Sequence, residues 1–115
     1  DYMLPLVCLK TGLWEIDDEL TKIYQESREL PMDHPLEREI REATMETVDR
    51  LAEKWETPQG HQPHGHVDSV IWQTAVLGCF PVDCKGCDFY DDCDAVQRKN
   101  NRLQWDHHRT RTIHY

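Results

Sequence analysis

HPLEREIREATMETVDRLAEKWE, residues 34–56, is the stretch of sequence that decides the fold. Its apolar and small residues recur at spacings of three and four, with charged or polar residues in most positions between. The residues of this predicted buried face are Leu36, Ile40, Ala43, Thr47, Leu51 and Trp55. The 3.6-residue period predicts an amphipathic helix from about His34 to Glu56. Asp33 is its predicted N-cap, and Thr57-Pro58 ends it.

A second amphipathic helix is predicted just before this one. Its apolar stripe consists of Leu13, Ile16, Leu20, Ile23 and Leu30. Asp17, Asp18 and Glu19 lie in its early turns, where the helix dipole favours acids, and Pro31 ends the helix. Because a short proline-containing link joins the two helices, we expect an antiparallel helical hairpin over residues 13–56.

Two shorter segments flank the hairpin. The apolar run YMLPLVCLK, residues 2–10, predicts a buried strand or an extended arm that ends at Thr11-Gly12. Residues 57–66 are rich in Pro, Gly and His, which predicts a loop. His61, His64 and His66 lie in that loop, where an exposed polar surface is the favoured interpretation and a metal site the alternative.

After the loop, apolar and small residues again recur at helical spacing. This spacing predicts a third helix that begins near Val67 and ends at Gly78, with a buried strand over 70–77 as the alternative. A last helix with a basic face is predicted over about 94–106. The predicted fold class is therefore mainly α: a helical hairpin and a third helix, stapled by a small Cys-rich metal knuckle, with a basic C-terminal helix or tail.

The chain length of 115 residues suits one domain. Its parts are an extended arm at 1–12, the hairpin at 13–56, the loop at 57–66, the helix and Cys-rich knuckle at 67–97, and the basic tail at 98–115.

The formal net charge of −9 is unevenly distributed. Residues 98–115 carry about +4, and the rest of the chain carries about −13. Arginines interleaved with Trp105 predict a binding surface in this tail. We expect an acidic protein partner there, because the acidic body repels nucleic acid; nucleic acid is the alternative target.

Nothing in the sequence predicts a membrane span, since no run approaches the ~20 apolar residues that one needs. No signal peptide is visible, and Asp1 in place of Met predicts an N-terminus that is processed, trimmed or preceded by a disordered segment, which leaves a targeting segment upstream open. The five cysteines are predicted to be reduced rather than paired, which predicts an intracellular, reducing compartment such as the cytoplasm or an organelle matrix.

The segment CFPVDCKGCDFYDDC, residues 79–93, carries the strongest chemical signal. Its spacing, C-x4-C-x2-C-x5-C, lets four thiolates close around one site with little loss of chain entropy. The predicted metal ligands are Cys79, Cys84, Cys87 and Cys93, and the predicted cofactor is an iron–sulfur cluster or Zn²⁺. Structural disulfides and a redox-active pair are the alternatives.

Within this segment, CKGCDFYDDC resembles the C-terminal cysteine run of iron–sulfur RecB-like nucleases, including the CRISPR-adaptation nucleases. The match covers residues 78–93. In that family a fourth cysteine lies far upstream, so the resemblance implies Cys8 as the alternative fourth ligand to Cys79. The family's catalytic core needs an Asp followed by acid-x-Lys, and Asp68 is followed by no such motif, so no nuclease activity is predicted.

No complete catalytic motif is present in the sequence. The predicted function is therefore a small metal-binding protein or subunit that acts as a macromolecular interaction module within a larger assembly. The alternative is an iron–sulfur electron-transfer or nuclease-accessory protein.

Overall fold

The computed structural model describes residues 3–79, 81–97 and 100–106. Within these ranges the fold consists of four α-helices and no strand: α1 (Met3–Thr11), α2 (Asp18–Gln25), α3 (Pro35–Lys54) and α4 (Pro63–Thr74). A π-helical turn at Ala75–Cys79 extends α4, and a single 3-10 turn follows at Cys84–Gly86. The mainly α fold class predicted from the sequence is confirmed.

Helix α1 lies at the centre of the molecule, because every residue from Met3 to Lys10 is buried. The expectation of a strand or extended arm over residues 2–10 is wrong. A helix that is apolar on all sides has no hydrophobic stripe, so periodicity cannot distinguish it from a buried strand.

The C-terminal end of α1 is buried, and its unpaired carbonyls receive hydrogen bonds from residues far along the chain. Arg102 Nη1 donates to Leu9 O at 2.8 Å. The Ala95 N–H donates to Lys10 O at 2.9 Å, and the Asp94 N–H to Thr11 O at 3.3 Å. A buried helix end without such partners would lose several hydrogen bonds. Gly12 follows with φ of +86°, where any Cβ would clash with the Asp94 side chain.

Helix α2 is shorter than predicted, with eight residues rather than a helix running from Leu13 to Pro31. Residues 13–17 form a bend and irregular backbone instead. Asp17 is the N-cap, and its carboxylate accepts a hydrogen bond from the Leu20 N–H at 2.9 Å.

Replacing Asp17 with alanine is expected to lower the free energy of unfolding by about 1 kcal/mol, because the cap hydrogen bond is lost. Asp18→Ala is the matched control: Asp18 is an exposed acid of the first turn and makes no cap contact. Urea unfolding measures both variants. Equal losses in the two variants would contradict the capping role of Asp17.

Helix α3 agrees with the prediction from residues 34–56, but its N-cap is His34 and not Asp33. His34 Nδ1 accepts a hydrogen bond from the Leu36 N–H at 3.1 Å, while Asp33 precedes it in a left-handed conformation at φ of +64°. On the buried side of α3, Glu37 is fully buried, and its carboxylate lies 3.1 Å from Arg41 Nε.

Helix α4 begins four residues earlier than predicted, at Pro63, because proline suits the first turn of a helix. His64 and His66 therefore lie on a helix rather than in the predicted loop, while His61 stays outside it. The alternative of a buried strand over 70–77 is wrong.

Two hydrophobic clusters share α1. The first joins α1 to α4 through Met3, Leu4, Val7, Val67, Ile71 and Ala75, with α3 residues against it. The second joins Leu9 to α2 and the start of α3 through Leu20, Ile23, Tyr24, Leu30 and Ile40. Burying the large apolar side chains of both clusters supplies the main stabilisation, at about 25 cal/mol per Å² of apolar surface.

The last described segment is not the predicted helix, because residues 94–97 and 100–106 form turns and irregular backbone. Trp105 stacks on Tyr24, with ring centroids 5.7 Å apart, and the Arg102 guanidinium lies 5.3 Å from the Trp105 ring. Trp105 therefore packs within the chain and is not the free anchor that was expected. The rest of the predicted basic tail, residues 107–115 with Arg98 and Lys99, lies outside the described residues.

None of the described helices is both long and apolar enough to cross a membrane, in agreement with the sequence.

Candidate functional site

The structure brings four of the five cysteines together. Together with Lys10 and several apolar side chains, they line one cavity of about 20 Å³, and these cysteines are Cys79, Cys84, Cys87 and Cys93. Cys8 does not line this cavity; it is buried on α1. All five are free thiols.

Local turns position the four thiols. The π-helical turn ends at Cys79, and the backbone reverses where the Asp83 N–H donates to Gly78 O at 2.9 Å and Val82 takes φ of +55°. The Cys87 N–H donates to Cys84 O at 3.0 Å. Such backbone reversal is typical of helix C-termini, although glycine is the usual residue at the left-handed position.

Lys10 connects this cysteine segment to α1. It is almost fully buried, and its Nζ donates a hydrogen bond to Cys79 O at 3.1 Å. Burial lowers the pKa of Lys10, and the neighbouring thiols oppose that change. Burial also raises the pKa of the Cys79 thiol to about 11, despite the nearby lysine. At neutral pH Cys79 is therefore a protonated thiol and a poor nucleophile.

No group of three or more His, Cys, Asp or Glu side chains among residues 3–79, 81–97 and 100–106 is arranged to hold a metal ion. This corrects the description of the chain as a metal-binding protein. The ligand set itself, Cys79, Cys84, Cys87 and Cys93 with Cys8 as the alternative to Cys79, stays a prediction, as does the iron–sulfur or Zn²⁺ cofactor. Of the three histidines, His64 places Nε2 2.9 Å from Asp49 Oδ1, while the His61 and His66 rings meet edge-on with their centroids 5.8 Å apart.

A larger cavity of about 320 Å³ lies between the segment before α2 and the exposed side of α3; we call it the carboxylate cavity. Its lining combines an aromatic ring, apolar side chains and charged groups: Leu13, Trp14, Glu15, Ile16, Leu20, Glu39, Ile40, Ala43, Glu46, Thr47 and Arg50. Its size falls at the lower end of the range for small-molecule sites.

Hydrogen bonds fix one wall of the carboxylate cavity. The Trp14 indole N–H donates to Thr47 Oγ1 at 2.8 Å, and Thr47 Oγ1 donates to Ala43 O at 2.8 Å. Among the described residues, the carboxylates of Glu15 and Glu39 have no hydrogen-bond or ion-pair partner. They are therefore free to accept hydrogen bonds from a ligand.

A third cavity, of about 200 Å³, shares Leu13 with the carboxylate cavity; we call it the aromatic cavity. It is lined by Val7, Thr11, Leu13, Leu51, Trp55, Ile71, Phe89 and Asp92. Leu13 lines both cavities and is 56% exposed, so the two cavities are neighbours.

No local pattern in the sequence predicts these two cavities. The sequence pattern places Leu13 and Ile16 in a helical stripe, and the acids of α3 in the polar positions between its apolar residues. No motif distinguishes Glu39 from the other acids of that helix. The only signals were the unusual number of tryptophans and the aromatic residues between the last two cysteines.

Comparison with known proteins identifies the family. The family model described as queuosine salvage protein matches residues 1–115. No curated protein and no solved structure gives a match. The resemblance to RecB-like nucleases is therefore wrong, and so is the assignment as a metal-binding interaction module or its iron–sulfur electron-transfer alternative. Because the match extends over all 115 residues, the chain belongs to the queuosine salvage protein family.

Proposed function

We propose that this chain acts in queuosine salvage and binds queuosine in the carboxylate cavity. Family membership supports the choice of ligand. The choice of this cavity as the binding site rests on one observation. Glu15 and Glu39 place two unpartnered carboxylates beside Trp14 in a cavity of about 320 Å³.

The chemistry of queuosine complements this lining. It is a 7-deazaguanosine whose base carries a cyclopentenediol through a secondary amine, which is protonated at neutral pH. An ammonium group and hydroxyl groups are donors that carboxylates accept. Trp14 supplies an aromatic surface close to them, and aromatic rings also attract cations. A ligand with a positive side group therefore matches this acidic lining.

The family description, queuosine salvage protein, supports the reaction class that we propose, which is release of the base from the nucleoside. Recovering the base of a nucleoside requires breaking the bond between the base nitrogen and ribose C1′. Water adds its hydroxyl to C1′, and the base leaves with the bonding electrons and takes up a proton. Positive charge develops on the ribose as the bond breaks, and a nearby carboxylate stabilises that charge. Glu15 and Glu39 are the candidates in this cavity.

Replacing Glu39 with glutamine is expected to weaken queuosine binding about tenfold, because a charge-assisted hydrogen bond is lost. Isothermal titration of queuosine into the purified chain measures this change. Glu53→Gln is the matched control, since Glu53 is an exposed acid of the same helix that does not line the cavity. Chromatography of the same samples detects any released base.

Guanosine lacks the charged side group, so it shows whether Glu39 binds that group or contributes to the binding of any nucleoside. We expect guanosine to bind more weakly and to be insensitive to Glu39→Gln. Equal effects of Glu39→Gln and Glu53→Gln on queuosine binding, or no binding of queuosine at all, would overturn the proposal.

We further propose that the chain works in an intracellular, reducing compartment, which its five free thiols support. A protein partner for the basic tail, with nucleic acid as the alternative, stays a proposal that now depends on Arg98, Lys99 and residues 107–115. Arg102 and Trp105 cannot contribute freely, because both are engaged within the chain.

A further inference from the structure

We infer that the aromatic cavity is the subsite for the planar base of the ligand, and that Asp92 selects a guanine-type base by accepting its N–H groups. This inference rests on the proposed function and deepens it. The carboxylate cavity, which shares Leu13 with it, then holds the rest of the nucleoside.

Two aromatic side chains from separate parts of the fold line this cavity. Trp55 is the C-cap of α3, where its N–H donates to Leu51 O at 2.8 Å, and its ring meets the His66 ring edge-on at 6.5 Å. Phe89 lies in the cysteine segment, and its N–H donates to Cys87 Sγ at 3.4 Å. The His66 contact orients the Trp55 ring, and the Cys87 contact holds the Phe89 backbone, so the cavity offers aromatic surface for stacking a flat ring.

The volume of about 200 Å³ limits what the aromatic cavity can hold. Sites for complete drug-sized ligands start at roughly 300 Å³, so this cavity suits a single bicyclic ring rather than a whole nucleoside. Leu13 lines both cavities, which makes the carboxylate cavity the adjacent space for the remaining groups. A single ligand that spans the two cavities would place its base in the aromatic cavity and its other groups in the carboxylate cavity.

Asp92 supplies the polar group of an otherwise mainly apolar lining. The Asp92 N–H donates to Phe89 O at 3.1 Å, so one turn carries both the ring and the carboxylate. Among the described residues, the Asp92 carboxylate has no hydrogen-bond or ion-pair partner. A guanine-type edge presents two adjacent N–H donors, which one carboxylate accepts together. An adenine-type edge places an acceptor nitrogen there, and the carboxylate would repel it.

The test is a titration of 7-deazaguanine, the free base without sugar or side group, into the full chain. Asp92→Asn is expected to weaken its binding about tenfold, because an amide replaces an ionised acceptor. Asp91→Asn is the matched control, since Asp91 is the neighbouring exposed acid and does not line the cavity. Thermal unfolding of both variants shows whether they stay folded.

A second ligand shows whether Asp92 accepts hydrogen bonds from both N–H groups of the base. The base 7-deazahypoxanthine lacks the exocyclic amine, so Asp92→Asn should weaken its binding by a clearly smaller factor. Equal losses for the two bases, or equal effects of Asp92→Asn and Asp91→Asn, would overturn the inference. If queuosine still binds and depends on Glu39, the proposed function survives that outcome. If neither queuosine nor the free base binds, both fail.

Discussion

Replacing Arg41 with alanine is expected to lower the free energy of unfolding by about 2 to 3 kcal/mol. Glu37 is fully buried, and its carboxylate has no hydrogen-bond partner among the described residues. Its charge is balanced by Arg41, one helical turn further on, with Nε 3.1 Å from Oε1. Removing the guanidinium leaves a buried carboxylate without its counter-charge. This lowers the free energy of unfolding more than replacing both residues with apolar ones would. Urea unfolding at neutral pH measures the loss.

A second ion pair on the same helix provides the control. Glu46 and Arg50 have the same spacing, but both side chains are well exposed, so Arg50→Ala should change stability by about 0.5 kcal/mol or less. In a Glu37→Gln background, Arg41→Ala should lose much less stability than in the wild type. A full loss in that background would mean that Arg41 acts through its packing, or through the ion pair of its Nη2 with Asp33 Oδ1 at 3.3 Å, and not through the buried charge.

Raising the pH above 9 is expected to destabilise the protein through Cys8. Burial raises the pKa of this thiol from 9.0 to about 12. Between these values the unfolded chain has lost a proton that the folded chain still holds, so unfolding becomes more favourable as the pH rises. Below pH 9 this thiol has no such effect. By about pH 10.5 the loss from Cys8 alone reaches about 2 kcal/mol.

Unfolding at about pH 8 and pH 10.5, in the presence of a reductant, tests this expectation. The Cys8→Ala variant should lose about 2 kcal/mol less stability than the wild type between the two conditions. Cys84→Ala should change the pH dependence less, because its thiol is only partly buried. Parallel pH dependences for the wild type and Cys8→Ala would rule out Cys8 as the source.

How well the sequence predicts each helix depends on whether that helix buries one face or all of its sides. Helix α3 buries one face only, so its period is visible in the sequence and its bounds were predicted to within two residues. Helix α1 buries every side, so the run around Leu6 carries no period and was assigned to the wrong element. The N-cap was misassigned because an aspartate preceded the helix, although the His34 ring nitrogen makes the capping hydrogen bond.

The candidate sites show the same limit. Cys79, Cys84, Cys87 and Cys93 are close in the sequence, so their proximity in space was foreseeable from their spacing. The cavities depend on tertiary contacts that no local pattern encodes: Trp55 and Phe89 are far apart in the sequence and belong to separate elements. The family assignment required a comparison over the whole chain, since the short cysteine motif led to the wrong family.

The buried end of α1 has a consequence for the order in which the chain folds during synthesis. Helix α1 leaves the ribosome about 90 residues ahead of the groups that bond its terminal carbonyls, which belong to residues 94–102. Until these residues emerge, the most apolar segment of the chain has an unsatisfied end and only part of its packing. We therefore expect α1 to remain a target for chaperones until residues 94–102 close over its C-terminal end.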